Sequence, residues 1–441
     1  MSKRFYLKSF FAVWVLVFCQ ACAVKSGSQI DKGAAVEKSL ASVPGMMAGS
    51  EDRTNTLEAK ATPYVILVSI DGFRYDYPEK KSATTLLEMT KQGVRAESLI
   101  PVFPSSTFPN HYSIVTGLYA DQHGIVSNRF LDPKINREFS YKDPTASESI
   151  WWRGEPLWVT AKKNGGISAC FFWVGGEAEI QGHRPDWYVK YSETVDHQTR
   201  IKTVVDWLKL PEDQRPHFIT LYFSEVDTAG HQFGPESKEV AEAVSKVDQS
   251  LGILRNEIKT LGLPINLIVV SDHGMESVEP DKAVYLDEKI DLKSFKNIGS
   301  GTMMMLHLKP NENPKVIEET VRKLNKLSPY LTARKRSDFV KEHFSGDPRA
   351  GEIIISMKSP WMVFVDHKKP LSRGGSHGWS PQENKNMHGI FFAEGPQLQK
   401  GKLIPSFENV DVFPLVAKIM NWKNLPKVSG RIDSVQGAIK N

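Results

Sequence analysis

Cysteine is scarce. The 441-residue chain carries three, and two of them, Cys19 and Cys22, fall within the first 23 positions. Cys170 is then alone, so no intramolecular disulfide can hold the fold and a hydrophobic core has to. A surplus of one charge is missing as well. Lys and Arg number 56 against 51 Asp and Glu, and Lys3, Arg4 and Lys8 sit at the very start. The near-neutral remainder argues against a nucleic-acid polymer as partner. Long hydrophobic runs are absent too. The apolar stretch at 10–18 falls well short of the roughly 20 residues that a spanning helix needs. No internal repeat is visible.

What is present begins with an export pattern. Lys3 and Arg4 form a positive start, the 10–18 run is apolar, and Ala21-Cys22-Ala23 supplies small residues. Residues 1–23 therefore read as a secretory signal, which predicts a periplasmic protein, or one lipid-anchored to a membrane if Cys22 is acylated. Lipid on Cys22 is the only membrane contact expected. Residues 24–62 are rich in Ser, Gly, Ala and Lys with little apolar periodicity and read as a flexible leader. One large domain is expected over 63–430, with a C-terminal tail at 431–441.

Within that domain, short continuous apolar runs at 64–70, 167–173, 218–223, 265–270 and 390–393 alternate with helical patterns. This is the signature of an α/β fold with a largely parallel sheet and helices on both faces. Val247, Leu251, Leu254, Ile258 and Leu261 recur at steps of four and three, which places one apolar stripe on a helix closed by Gly262 and Pro264. The segment 276–365 reads as a small α+β insert.

Chemistry collects where the strands stop. The 64–70 run ends in Asp71-Gly72, the 218–223 run leads to Asp227, and the 265–270 run leads to Asp272-His273-Gly274. Open α/β sheets place ligands at that edge. A lone aspartate after a strand is often a turn former, but three, two of them with a nearby histidine, point to a shared site. His231 follows Asp227 by four residues, which brings both to one face of a helical turn. His377 lies in the glycine-rich loop Gly374-Gly375-Ser376-His377-Gly378. Three carboxylates and three imidazoles suit two zinc ions with mixed oxygen and nitrogen ligands, although Mn²⁺ or Fe could use similar donors. His217 and His307 read as structural, with His111, His123 and His388 between the two readings. A nucleophile is available in Ser105, Ser106 or Thr107, because Pro109 suits a helix first turn and the helix dipole favours an alkoxide there. Spacing does not choose among the three hydroxyls, and an N-cap role is the alternative.

The motifs Ser69-Ile70-Asp71-Gly72-Phe73, Thr107-Phe108-Pro109-Asn110-His111, Val115-Thr116-Gly117-Leu118-Tyr119, His123-Gly124-Ile125, Glu225-Val226-Asp227, Gly230-His231, Ser271-Asp272-His273-Gly274-Met275 and His377-Gly378 carry a resemblance. The chain resembles the nucleotide pyrophosphatase/phosphodiesterase family of the alkaline phosphatase superfamily, from about Pro63 to about Gly395. The resemblance implies an alkaline-phosphatase-like fold and two Zn²⁺ per chain. Asp71, Asp272 and His273 would bind the ion that activates Thr107, itself a ligand, and Asp227, His231 and His377 would bind the second. It further implies that Asn128 donates to a phosphoryl oxygen, and that Phe108 and Tyr222 sandwich a nucleobase. The expected reaction is hydrolysis of a nucleotide or other small phosphodiester through a covalent threonyl intermediate. The alternatives are a lysophospholipid or choline phosphodiesterase on the same metal site, or a surface binding protein without turnover. One departure stands out. The family often continues its last histidine motif as H-G-x-D-N, whereas here His377-Gly378 runs into Trp379-Ser380-Pro381-Gln382.

Overall fold

Every residue of Tyr64–Ile70 is buried, and alternate side chains go to opposite faces of the sheet, as strand geometry requires. Val65 and Leu67 join one hydrophobic cluster, while Ile66, Val68 and Ile70 join another. A strand buried on both faces is the centre of a layered α/β protein. The computed structural model describes residues 35–287, 289–367 and 371–440. The expected signal segment at 1–23, with Cys22, lies outside the described residues.

The central sheet has nine strands. They are β1 (Met46–Ala48), β2 (Tyr64–Ile70), β3 (Val94–Ala96), β4 (Ser168–Phe171), β5 (Trp187–Val189), β6 (Phe218–Phe223), β7 (Ile265–Val270), β8 (Phe391–Glu394) and β9 (Lys402–Ile404). The spatial order is β1-β5-β4-β6-β2-β7-β8-β3-β9. The five strands β5-β4-β6-β2-β7 are mutually parallel, and β8 joins β7 antiparallel. Strand β8 is entered from the His377 loop, at the carboxyl edge of the parallel strands, with no crossover helix between. The chain can then only run back the other way.

Helices cover both faces. Helix α1 (Thr107–Thr116) and the helices Leu157–Lys163 and Val412–Ile419 pack into one cluster. His197–Lys209, α2 (Glu225–Phe233) and α3 (Lys238–Thr260) pack into the other. The stripe Val247, Leu251, Leu254 and Ile258 on α3 is buried, and Ser237 caps its start by accepting from the Val240 N–H at 3.2 Å.

A four-stranded antiparallel sheet of Phe295–Ile298, Met303–Leu308, Ile353–Met357 and Leu331–Lys335 carries the helix Lys315–Leu324 and has its own core. Trp379, two residues past His377, is 2% exposed and belongs to that core. Its indole N–H donates to the Trp361 carbonyl at 3.0 Å. The loop that departs from the family pattern is therefore anchored in the insert. Buried Arg349 ties insert to main domain, donating to Asp132 at 2.8 Å and to the carbonyls of Gly124 at 2.9 Å and Trp151 at 2.7 Å.

Two boundaries differ from the expectation. The flexible leader expected at 24–62 does not describe residues 35–62, which belong to the fold. Leu40 is fully buried, β1 pairs antiparallel with β5, and Thr56 caps the helix Leu57–Lys60. Asn55 donates to the carbonyls of Glu212 at 2.9 Å and Arg215 at 2.8 Å. Pairing of this kind runs through backbone and a few polar side chains, so it leaves no apolar periodicity to read. The expected C-terminal tail is likewise packed down, with Val435 and Ala438 fully buried and Ile439 bridged to Leu398. Among the described residues no helix is long and apolar enough to cross a membrane.

Candidate active site

The ends of β2, β6 and β7 deliver Asp71, Asp227 and Asp272 to one spot, because the three strands are adjacent and in register. Gly72 makes the approach possible. It has φ +67°, and a Cβ there would stand 2.8 Å from the Asp227 Cα, so no larger residue fits. The Gly72 N–H donates to Asp272 Oδ1 at 3.2 Å.

Asp71, Asp272 and His273 form one compact group of ligand atoms. The Nδ1–H of His273 donates to its neighbour's carbonyl, Gly274 O, at 2.9 Å. Nε2 is then the atom that looks inward, 3.0 Å from Asp272 Oδ2, 3.4 Å from Asp71 Oδ1 and 3.1 Å from Thr107 Oγ1. Both Asp71 Oδ1 and Asp272 Oδ2 are buried without a hydrogen bond. Among the described residues no lysine or arginine pairs with Asp71, Asp227 or Asp272. Burial first, then the charges of Asp272 and Asp227, push the Asp71 carboxyl well above the usual carboxylate range. Burial acts on Asp272 too, but His273 and His111 outweigh it and hold that carboxyl well below the range.

The second cluster is more open. Asp227 Oδ1, also buried and unpaired, lies 3.5 Å from His231 Nε2 and 3.7 Å from His377 Nε2. His231 donates from Nδ1 to Gly375 O at 2.9 Å, and His377 from Nδ1 to Ser105 O at 2.9 Å. Those bonds turn both Nε2 atoms inward, where they stand 3.1 Å apart. Burial, with His273 and His231 beside it, holds His377 well below the usual imidazole range, so the ring is neutral. Two imidazole nitrogens and an unpaired carboxylate oxygen thus face one point. The donor set therefore fits a bound metal, with nitrogen and oxygen in the mixture that zinc takes. His273 also lies within ligand reach of Asp227 and His377, and its ring stacks on His377 with centroids 3.6 Å apart. The two groups thus share a wall.

Of the three hydroxyls, Ser105 is committed. It is fully buried, donates to Trp379 O at 2.7 Å and accepts from the Gly378 N–H at 3.1 Å. Ser106 is the N-cap of α1 and makes no side-chain cap bond. Thr107, the first residue of α1, is the hydroxyl that points into the ligand cluster. Asn128 accepts the Phe108 N–H on Oδ1 at 2.9 Å, which orients its amide and leaves the NH₂ group as a donor.

Tyr222 is placed differently from the role given it by resemblance. Its hydroxyl donates to Asp71 Oδ2 at 2.6 Å, and its ring meets His111 edge-on at 5.3 Å. It buttresses the Asp71 carboxylate rather than presenting a free face. The exposed aromatic beside it is Tyr191, 47% exposed, with its ring 6.1 Å from that of Tyr222. Sequence reasoning passed over Tyr191, and nothing in its local pattern separates it from Trp187 or Tyr188. His111 is the other residue to gain a role. Fully buried, it donates to Thr107 O at 3.0 Å, takes Ser69 Oγ on Nε2 at 2.9 Å and sets Nδ1 3.2 Å from Asp272 Oδ2.

A family model described as type I phosphodiesterase / nucleotide pyrophosphatase matches residues 65–390. The chain belongs to this family. Human ectonucleotide pyrophosphatase/phosphodiesterase family member 1 is 36% identical over 397 residues, which cover 86% of this chain and 42% of the human protein. A venom phosphodiesterase of Crotalus durissus collilineatus is 33% identical over 386 residues, covering 86% of this chain and 46% of its own length. The chain thus spans less than half the length of these curated relatives. The solved structure of murine ectonucleotide pyrophosphatase/phosphodiesterase 5 superposes with a TM-score of 0.80 at 30% identity, over 86% of this chain and 100% of the murine one. A second structure of that murine protein is an inactive threonine-to-alanine variant in complex with AMP, with a TM-score of 0.80 at 29% identity. The fold is the mixed α/β architecture of these type I phosphodiesterases, consistent with the alkaline-phosphatase-like expectation.

Proposed function

We infer that this protein is an exported, zinc-dependent hydrolase that cleaves nucleotide phosphodiester or phosphoanhydride bonds to nucleoside monophosphates through a covalent intermediate on Thr107. The observation that carries the reading is the position of Thr107 Oγ1. It stands at the N-terminus of α1, 3.1 Å from His273 Nε2, against a cluster of buried carboxylate oxygens that have no hydrogen-bond donor. Asp71, Thr107, Asp272 and His273 would hold one ion, and Asp227, His231 and His377 the other. When bound, such ions supply Lewis-acid stabilisation of phosphoryl oxygens and lower the pKa of a coordinated hydroxyl.

The remaining work falls to the chain itself. Thr107 Oγ attacks phosphorus in line and the leaving oxygen departs; water later breaks the threonyl ester. The positive end of the α1 dipole favours the anionic form of Thr107. The Asn128 amide, held by the Phe108 N–H, presents a fixed dipole to the developing charge. Phe108 and the exposed Tyr191 supply aromatic faces for a base. The AMP complex of the murine relative supports a nucleotide over a choline or lysophospholipid substrate. Export rests on the 1–23 pattern and on the names of the relatives, ectoenzymes and venom enzymes. Periplasmic location or a lipid on Cys22 belongs to the same proposal.

The test is a substrate panel of p-nitrophenyl thymidine monophosphate, p-nitrophenyl phosphate, p-nitrophenyl phosphorylcholine and ATP, run before and after metal removal. Turnover of the thymidine diester should dominate, vanish with a chelator and return with zinc. Preference for phosphorylcholine would overturn the substrate, and full activity after verified metal removal would overturn the metal site.

A further inference from the structure

The amino ends of the parallel strands form the edge of the sheet opposite the ligand clusters, and two cavities open there. One, of about 370 Å³, has Ile258, Leu263, Ile265 and Leu267 among its walls. The other, of about 500 Å³, is lined in part by Val36, Leu208, Leu261 and again Leu263. Through Leu263 they join into one apolar face at the entry to β7. A six-residue strand such as β7 is about 20 Å long, so this face lies roughly a strand's length from the carboxyl edge that holds Asp272.

Cations rim the face. Six of the lining side chains are basic and one, Glu394, is acidic. Arg255 takes that carboxylate with bonds of 2.5 and 2.7 Å. Lys209, Lys259, Lys400 and Lys440 are exposed, and among the described residues no carboxylate pairs with them. Arg215 donates to the Leu210 carbonyl at 3.0 Å and the Tyr64 hydroxyl at 3.2 Å, which leaves its charge uncancelled. The acids nearest in sequence, Glu37, Glu212 and Glu257, line neither cavity. Unpaired cations around an apolar floor complement anionic head groups over a hydrocarbon layer. The chain also enters the fold here. Ala35, the first described residue, lines the second cavity. Cys22 stands thirteen positions upstream, a span of at most about 45 Å, so an acyl chain on it and this face can reach one bilayer together.

We propose that this face docks the protein on an anionic lipid surface, with the catalytic edge turned toward the aqueous side. It adds a contact made by the folded protein to the acyl group expected from the sequence. The proposal goes beyond the hydrolase reading and holds whichever diester is cleaved.

The test uses exported protein carrying Cys22→Ala, which keeps the A-x-A pattern and removes the acyl acceptor. It is co-sedimented with vesicles of phosphatidylcholine alone, or of phosphatidylcholine mixed with phosphatidylglycerol. The protein should bind the mixed vesicles and not the neutral ones, and should release as salt rises. A triple variant with Lys209→Gln, Lys259→Gln and Lys400→Gln should bind about tenfold or more weakly, since each basic residue at an anionic surface is worth roughly fivefold. Its melting temperature and its turnover of p-nitrophenyl thymidine monophosphate should match the parent's. A control triple at the insert helix, Lys315→Gln, Arg322→Gln and Lys326→Gln, makes the same change in net charge and should keep its binding. Equal losses in the two triples would make the effect one of net charge and overturn the proposal, as would absent binding or equal binding to neutral vesicles. A solution dimer that only the first triple dissolves, without vesicle binding, would give the face to a second copy of the chain. A melting shift with AMP or inorganic phosphate that only the first triple loses, again without vesicle binding, would give it to a small anion. Either result refutes membrane docking.

Discussion

At the residue scale, Thr107 is the position on which the proposed chemistry turns, and its surroundings separate it from its neighbours. Thr107→Ala should lower turnover on the order of 10³-fold or more, because Thr107 is the one of the three candidate hydroxyls that meets His273 Nε2. Its melting temperature should shift by no more than about 2 °C, since Thr107 does not cap the helix and Ala is a good helix former. Thr107→Ser should keep substantial activity. Ser105→Ala tests the other side of the choice. It strips the Trp379 carbonyl and the Gly378 N–H of a buried partner, so it should destabilise by about 1–3 kcal/mol while the folded enzyme still turns over. Paired measurements of kcat and melting for the three variants decide the matter. An inactive Ser105→Ala with an active Thr107→Ala would move the nucleophile to Ser105.

Elements bring the ligands together through close backbone approach, and Gly72 is where that approach is tightest. In Gly72→Ala the new methyl would meet the Asp227 Cα at 2.8 Å and Cβ at 2.9 Å, at φ +67°. Either the β2 end or α2 has to shift. The variant should lose about 1–3 kcal/mol of stability and bind less metal, because Asp71 and Asp227 belong to different ligand groups and both move. Elemental analysis of purified protein checks this, with wild-type metal content as the contrary result. The loop after His377 follows the same logic. Trp379 sits in the insert core while the carbonyl of Ser105 orients His377, so an anchor remote from the sheet helps set the imidazole.

For the whole molecule, three buried histidines away from the ligand clusters contribute to acid sensitivity. Burial is the main cause in each case, pushing His123 down to about 3, His217 to about 4 and His307 to about 4, from an ordinary 6.5. The unfolded chain takes up these protons near pH 6.5, while the folded chain refuses them until pH 3–4. Their contribution is therefore complete above pH 6.5 and is lost as pH falls toward 4, at up to about 1.4 kcal/mol per pH unit for each. Urea unfolding of metal-free protein between pH 7 and 4.5 should show stability falling, with these three rings alone adding close to about three protons to the uptake on unfolding near pH 5. A flat profile through that window would contradict neutral burial of the three rings.

Much of this protein was legible from short contiguous motifs. Apolar runs ending in Asp71, Asp227 and Asp272 announced adjacent parallel strands whose carboxyl ends share a site, because alternation and run length are local properties of the chain. The same locality explains why the candidate carboxylates and imidazoles, and the family, could be read. What only the tertiary structure decided depends on partners far away in sequence. Ser105 is set aside by Trp379 and Gly378, some 270 residues on. Tyr222 is turned from a base-stacking face into a support for Asp71 by a bond across 151 positions. Residues 35–62 join the sheet through β1 and Asn55, by backbone and amide bonds that composition does not register. A hydroxyl, a ring or an amide carries its chemistry in its own residue, but whether that chemistry is free for a substrate depends on which groups packing brings within about 3 Å.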